Sequence, residues 1–342
     1  MRGMLLARLG PLADHPEPLQ LTELPTPSPG PGELLLKVTA CGVCHTELDE
    51  IEGRAAPARL PIVPGHQVVG RVVLLGEGAS GFREGDRVGV GWIFSACGQC
   101  ARCQAGEENL CAEFRATGRD TDGGYAEFMV VSSDFAYPIP PELDDAEAAP
   151  LLCAGAIGYR SLRLTGLGER GRLGLTGFGA SGHLVLKLVR AARPAVQVYV
   201  FTRSEAERRF ALDLGADWAG DTADTSPEPL DAIIDTTPAW RPVIEALGNL
   251  RPGGRLVINA IRKEQADQTE LLRLRYEHHL WMEKEVKSVA NVARRDVWEL
   301  LDLAAQHALR PELRTYRLEE ANTALRDLKR GGQPGAKVLC VG

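Results

Sequence analysis

The sequence predicts an α/β protein in two domains, a β-rich, barrel-like N-terminal domain and a parallel α/β sheet. Three observations lead there. Up to about residue 150 short apolar runs alternate with Pro- and Gly-rich turns; beyond it helical and strand-like segments alternate; and at 177–182 a strand enters a glycine turn that opens an amphipathic helix. The length of 342 residues exceeds the size at which one core keeps growing, so two domains are expected.

The elements follow in order. Apolar stretches at 19–21, 34–38, 68–75 and 86–90 read as strands, separated by Pro25, Pro27, Pro29 and Pro31 and by the turn 76–78. After residue 150, strands are expected at 173–176, 196–201, 231–235 and 255–259, the last entered through Pro252-Gly253-Gly254. Helical periodicity marks 183–190, 298–306 and 321–330, and 337–341 closes the chain as a strand.

Two groups of cysteine and histidine carry metal-ligand chemistry. Cys97, Cys100, Cys103 and Cys111 lie in a loop of small and polar residues, and four thiolates saturate a tetrahedral zinc and hold a loop closed. An iron–sulfur cluster is the rival occupant, but nothing else in the sequence supplies the redox role it would need. Cys44 and His66 form the second group. Thiolate and imidazole suit a catalytic zinc, which takes three protein ligands and leaves one position open, and Cys153 is the best candidate for the third. Cys41 and Cys44 could also be a redox pair or small buried hydrophobes.

The run Gly177-Phe178-Gly179-Ala180-Ser181-Gly182 is a dinucleotide fingerprint in context. Its first glycine permits the turn, its second lets backbone approach a pyrophosphate, its third packs helix on strand, and the helix N-terminus favours the phosphate charge. At the end of the next strand an acidic residue would mark a free ribose. The sequence reads Thr202-Arg203-Ser204 instead, with no carboxylate, so a 2′-phosphate and hence NADP(H) over NAD(H) is expected, with Arg208 or Arg209 assisting.

A formal charge of −7 disfavours general nucleic-acid or anionic-membrane binding and points to a small-molecule partner. No stretch is long enough to span a bilayer, and the N-terminal apolar run is too short for a signal peptide, so a cytoplasmic location is expected. Eight cysteines at metal-ligand spacings then mean zinc rather than disulfides.

Cys44-His45-Thr46, Gly65-His66, the four-cysteine lobe, Cys153-Ala154-Gly155, the fingerprint and Leu214-Gly215-Ala216-Asp217 together resemble the medium-chain zinc-dependent alcohol dehydrogenases over nearly the whole chain. The resemblance implies a GroES-like β-barrel catalytic domain (1–154, with a structural zinc lobe at about 95–112), a Rossmann doubly wound domain (155–293), a C-terminal segment (294–342) returning to the barrel, and an active site in the cleft. It implies two zincs per chain, a homodimer or homotetramer, and reversible hydride transfer between a small primary alcohol or its aldehyde and NADP(H). In that picture Thr46 passes the substrate proton into a relay, His45 contacts pyrophosphate or ribose, Glu47 fixes the His66 tautomer, and Trp92 lines the substrate pocket.

Three departures from the family pattern stand out. Gln67 replaces a glutamate after the histidine, Asp49 stands where several relatives end the relay with histidine, and Ile157 and Gly158 replace threonines expected near the nicotinamide. The alternatives are a polyol or other secondary-alcohol dehydrogenase of the same superfamily, and a catalytically idle NADP(H)-binding redox sensor.

Overall fold

In a computed structural model that describes residues 1–331 and 335–342, the chain divides into two compact units, Met1–Ala154 with Val292–Gly342, and Gly155–Asn291.

The first unit is built on the strand Glu33–Val43. It lies inside a seven-stranded sheet ordered Leu313–Arg317, Ala336–Cys340, Glu33–Val43, Val68–Leu75, Arg87–Val90, Ala136–Pro138, with Phe128–Ser132 paired to the other half of the long strand. Two register shifts, at Leu35/Leu36 and Val38/Ala40, bend that strand. Leu34, Leu36, Val38, Val68, Val72, Val88, Met129 and Leu339 are buried together against it. Its antiparallel register pairs Cys41 with Val68. Moving forward three residues on one strand and back two on the other brings Cys44 and His66 to the same end of the sheet.

The second unit carries a six-stranded, all-parallel sheet ordered Trp218–Gly220, Val196–Phe201, Gly171–Thr176, Leu230–Asp235, Leu250–Ile258, Glu285–Ser288. In chain order this is third, second, first, fourth, fifth, sixth, the doubly wound order of a Rossmann domain. Thr176 is in register with both Phe201 and Asp235, so the three strand ends and the turns after them share one edge, where the order reverses. Pro252-Gly253-Gly254 does not precede its strand as the sequence suggested. It lies inside Leu250–Ile258, where the register jumps between Leu230 and Ala232.

Candidate functional site

Strand geometry delivers the first metal group. The long strand ends at Val43, and Cys44 caps the short helix His45–Ile51: its Sγ accepts from the Thr46 N–H at 3.3 Å, while the Cys44 N–H donates to Oε2 of Glu47 at 2.8 Å. His66 follows Gly65, whose φ of +102° and missing Cβ are both required, since a Cβ there would lie 2.4 Å from the Tyr125 ring. Cys153 comes from a π-helical turn, Leu151–Gly155, after the helix Asp145–Pro150, and such turns recur at functional sites. Cys44 Sγ lies 3.7 Å from His66 Nε2, and the donor atoms of Cys44, His66 and Cys153 all lie within 4.8 Å of one another. A tetrahedral zinc with ordinary bond lengths would place sulfur and nitrogen about 3.6 Å apart. The donor set therefore fits zinc with one position left open.

The surroundings fix these donors. Glu47 is fully buried, and its Oε1 lies 2.6 Å from His66 Nδ1. Burial opposes a charge on His66, yet Glu47 and Cys44 outweigh it and push its pKa well above the ordinary value. Contact with the Cys153 thiol and burial hold the Cys44 thiol well above its usual range. His66 opposes this in part, and a bound cation would favour the Cys44 thiolate further. Trp92 stands edge-on to His66 with centroids 5.0 Å apart and is buried beside Ile93, Ala116 and Phe135, so it both braces the imidazole and fills core. The Arg119 guanidinium lies over its ring.

Two of the sequence's departures acquire a physical context here. Asp49 is buried and its Oδ1 accepts from Arg54 Nε at 2.6 Å, so it is neutralised by an ion pair. Gln67 is buried with Nε2 lacking a hydrogen-bond partner among the described residues, packed against Gly42, where a Cβ would lie 2.8 Å from the Gln67 side chain. His45 is exposed at the start of the same helix.

The second metal group is compact. Cys97–Cys103, Cys100–Cys103 and Cys111–Cys97 sulfur separations are 3.9, 3.6 and 3.5 Å. Four sulfurs around a tetrahedral zinc would stand about 3.8 Å apart. The amides of Gln99 and Cys100 pull the Cys97 thiol down to about 7, whereas burial and its neighbouring thiols push Cys103 up to about 12. The lobe is tied down by Arg294, whose Nε donates to Glu108 at 2.7 Å and whose guanidinium lies over Phe135.

The second unit holds the dinucleotide turn. Gly177 has φ +79°, a Cβ on Gly182 would lie 2.8 Å from the Gly177 carbonyl oxygen, and Gly179 is exposed with nothing within 4 Å of its Cβ position. Gly179 caps the helix Ala180–Ala192 without a side-chain hydrogen bond, so the amides of Ala180, Ser181 and Gly182 face an open approach. The residues fit a pyrophosphate. Of the two residues suspected near the nicotinamide, Gly158 has a local reason, because a Cβ there would lie 2.7 Å from Val185 on the fingerprint helix. Ile157 accepts a hydrogen bond from Ser161 Oγ through its carbonyl.

Sequence reasoning missed one feature at the end of the strand Val196–Phe201. A carboxylate is present there after all: Glu207, from the helix Glu205–Asp213, accepts the Thr202 hydroxyl hydrogen bond. The only signal was its place three residues after the cap Ser204, whose Oγ accepts from the Glu207 N–H at 3.3 Å. Arg203 is exposed and takes no partner among the described residues, whereas Arg208 donates to the Thr202 and Arg203 carbonyls at 2.7 and 3.1 Å, and Arg209 pairs with Glu205.

An open metal cluster and a dinucleotide turn in one chain are the equipment of a metal-dependent nicotinamide oxidoreductase. The family model of the alcohol dehydrogenase GroES-like domain matches residues 30–141, and that of the zinc-binding dehydrogenases matches 209–339. The chain is 43% identical over 346 residues to a probable alcohol dehydrogenase AdhA of Mycobacterium tuberculosis, covering 100% of this chain and 97% of that one. It is 34% identical to an alcohol dehydrogenase of Geobacillus stearothermophilus over 94% of this chain and 95% of that one. A cinnamyl alcohol dehydrogenase structure from Sorghum bicolor superposes with a TM-score of 0.85 at 30% identity, covering 99% of this chain and 97% of that one. The chain belongs to the medium-chain zinc-dependent alcohol dehydrogenase family. It is a zinc- and NAD(P)-dependent alcohol dehydrogenase with a GroES-like and a Rossmann domain. Among the described residues no helix is long and apolar enough to cross a membrane.

Proposed function

We propose that this enzyme interconverts small primary alcohols and their aldehydes, with NADP(H) favoured over NAD(H), at a zinc held by Cys44, His66 and Cys153. A second zinc on Cys97, Cys100, Cys103 and Cys111 holds the lobe at 97–111 in place. The observation that carries this reading is the three-donor cluster, whose atoms converge within 4.8 Å behind a buried Glu47.

When bound, the open-site zinc supplies Lewis acidity and the nicotinamide supplies or receives hydride. The chain's own groups do the rest. Glu47 orients His66 through Nδ1 and Cys44 through its backbone N–H, so both donors keep their geometry without substrate. Thr46, whose N–H donates to Cys44 Sγ at 3.3 Å, would accept the substrate proton at Oγ1 while releasing its own hydroxyl proton towards solvent, and Asp49 is held in its ion pair with Arg54. His45, exposed one position earlier, takes the role of a cofactor contact. Trp92 shapes the pocket wall beside His66. Ala180, Ser181 and Gly182 bind pyrophosphate with their amides, and Arg203 meets the 2′-phosphate, assisted by the Ser204 hydroxyl.

We place the enzyme in the cytoplasm as a homodimer or homotetramer. The edge strand Glu285–Ser288 is exposed along its length, with Val286 in it 47% exposed, and Leu272 and Trp281 elsewhere in the unit are 86% and 54% exposed, which favours a second copy as partner. A panel of primary, secondary and polyol alcohols and of aldehydes, run with each cofactor on protein of measured zinc content, tests the activity. Fastest turnover of secondary alcohols or polyols selects the superfamily alternative, and cofactor binding without turnover selects the redox sensor.

A further inference from the structure

The adenosine-ribose end of the cofactor site contains opposed charges, and their arrangement assigns a residue. In a doubly wound domain the ribose lies at the end of the strand after the fingerprint, where a carboxylate accepts from its hydroxyls and a guanidinium accommodates a 2′-phosphate. Here Gly177 of the fingerprint donates to the carbonyl of Phe201, the last residue of that strand, so Thr202 is the next residue to meet the turn. Thr202 is buried, and its hydroxyl donates to Oε2 of Glu207. The Glu207 N–H is held by Ser204 Oγ at 3.3 Å, which fixes the carboxylate in the first turn of its helix. No basic side chain forms an ion pair with Glu207 among the described residues, while Arg208 is directed to two backbone carbonyls and to Asp221 at 3.5 Å. Among the described residues the subsite therefore presents a guanidinium without a partner, Arg203, and an ordered carboxylate, Glu207.

We propose that Glu207 is a specificity-determining residue that limits the preference for NADP(H): its carboxylate accepts from the free 2′-hydroxyl of NAD(H) and repels the 2′-phosphate that Arg203 attracts. This rests on the reading of Thr202-Arg203-Ser204 as the ribose end of the cofactor site. It deepens that reading by making selectivity a balance between two side chains. Like charges placed together at a binding surface act chiefly on discrimination between ligands. Glu207→Gln retains an oxygen that can accept from Thr202 and removes only the charge.

Fluorescence titration of wild type, Glu207→Gln and Glu207→Lys with NADPH and with NADH tests the assignment. Glu207→Gln should bind NADPH about three- to thirtyfold more tightly and NADH no more tightly than wild type, and Glu207→Lys should move the ratio further the same way. A role confined to capping the helix would weaken both cofactors together, so equal changes for NADPH and NADH, or none, overturn the proposal. Failure of the NADP(H) preference itself is visible separately, in the wild-type ratio. If wild type binds the two equally while Glu207→Gln favours NADPH, the role of Glu207 stands and the preference does not.

Discussion

Glu47 joins two of the three open-site donors: one carboxylate oxygen lies 2.6 Å from Nδ1 of His66 and the other accepts the Cys44 N–H at 2.8 Å. Both Glu47 and His66 are buried, so no water replaces the contact. Glu47→Gln should lower kcat/KM about 10–100-fold, in the range seen when a partner of a metal-bound histidine is lost, and should let a chelator strip the open-site zinc faster. Steady-state kinetics with zinc analysis before and after dialysis against chelator reads both. Unchanged kinetics together with unchanged metal retention would remove Glu47 from the account.

Glu52, at the end of the helix His45–Ile51, accepts from the Leu12 N–H at 2.9 Å and from the side chains of Arg54 and Lys329. Burial alone would raise its pKa, but Lys329, the Leu12 amide and Arg54 hold it at about 2 instead of 4.5. The native state thus binds the proton less readily than the unfolded chain. The stabilisation is fully present above pH 4.5 and is lost as pH falls towards 2. Glu52→Gln should cost up to about 3 kcal/mol at neutral pH. In denaturant melts the gap to wild type should narrow below about pH 4.5, and a gap independent of pH would refute the argument.

Arg203 is exposed without a partner among the described residues, so its charge is available to a ligand. Arg203→Ala should weaken NADPH binding by roughly ten- to a hundredfold, the equivalent of about 1.5–3 kcal/mol for a charge-assisted contact, with little effect on NADH. Thr202→Asp should shift preference towards NADH. Equal weakening of both cofactors by Arg203→Ala would make it a solvated loop residue.

Much of this is legible in the sequence alone, for reasons that differ by residue. The four thiols at 97–111 and the glycines at 177–182 carry their chemistry in local spacing, and each closes within one loop or one turn. Cys44, His66 and Cys153 are far apart in sequence. Their convergence depends on the Cys41–Val68 register and on the π-helical turn at 151–155, neither of which has a local signature. Glu207 has no signature at the strand end itself, because its carboxylate returns from the following helix through a side-chain hydrogen bond. Likewise the ion pair of Asp49 with Arg54 and the packing of Gly158 against Val185 are side-chain contacts that residue spacing alone does not display.

The most direct test of the account is the zinc content of protein purified without chelator, wild type beside Cys44→Ala and Cys103→Ala. Among the described residues two donor sets converge, Cys44/His66/Cys153 and Cys97/Cys100/Cys103/Cys111. Wild type should carry two equivalents of zinc, Cys44→Ala one equivalent with the fold retained and no turnover, and Cys103→Ala should lose stability or expression first. A single equivalent in wild type, iron in place of zinc, or full turnover by Cys44→Ala would contradict the two-site reading.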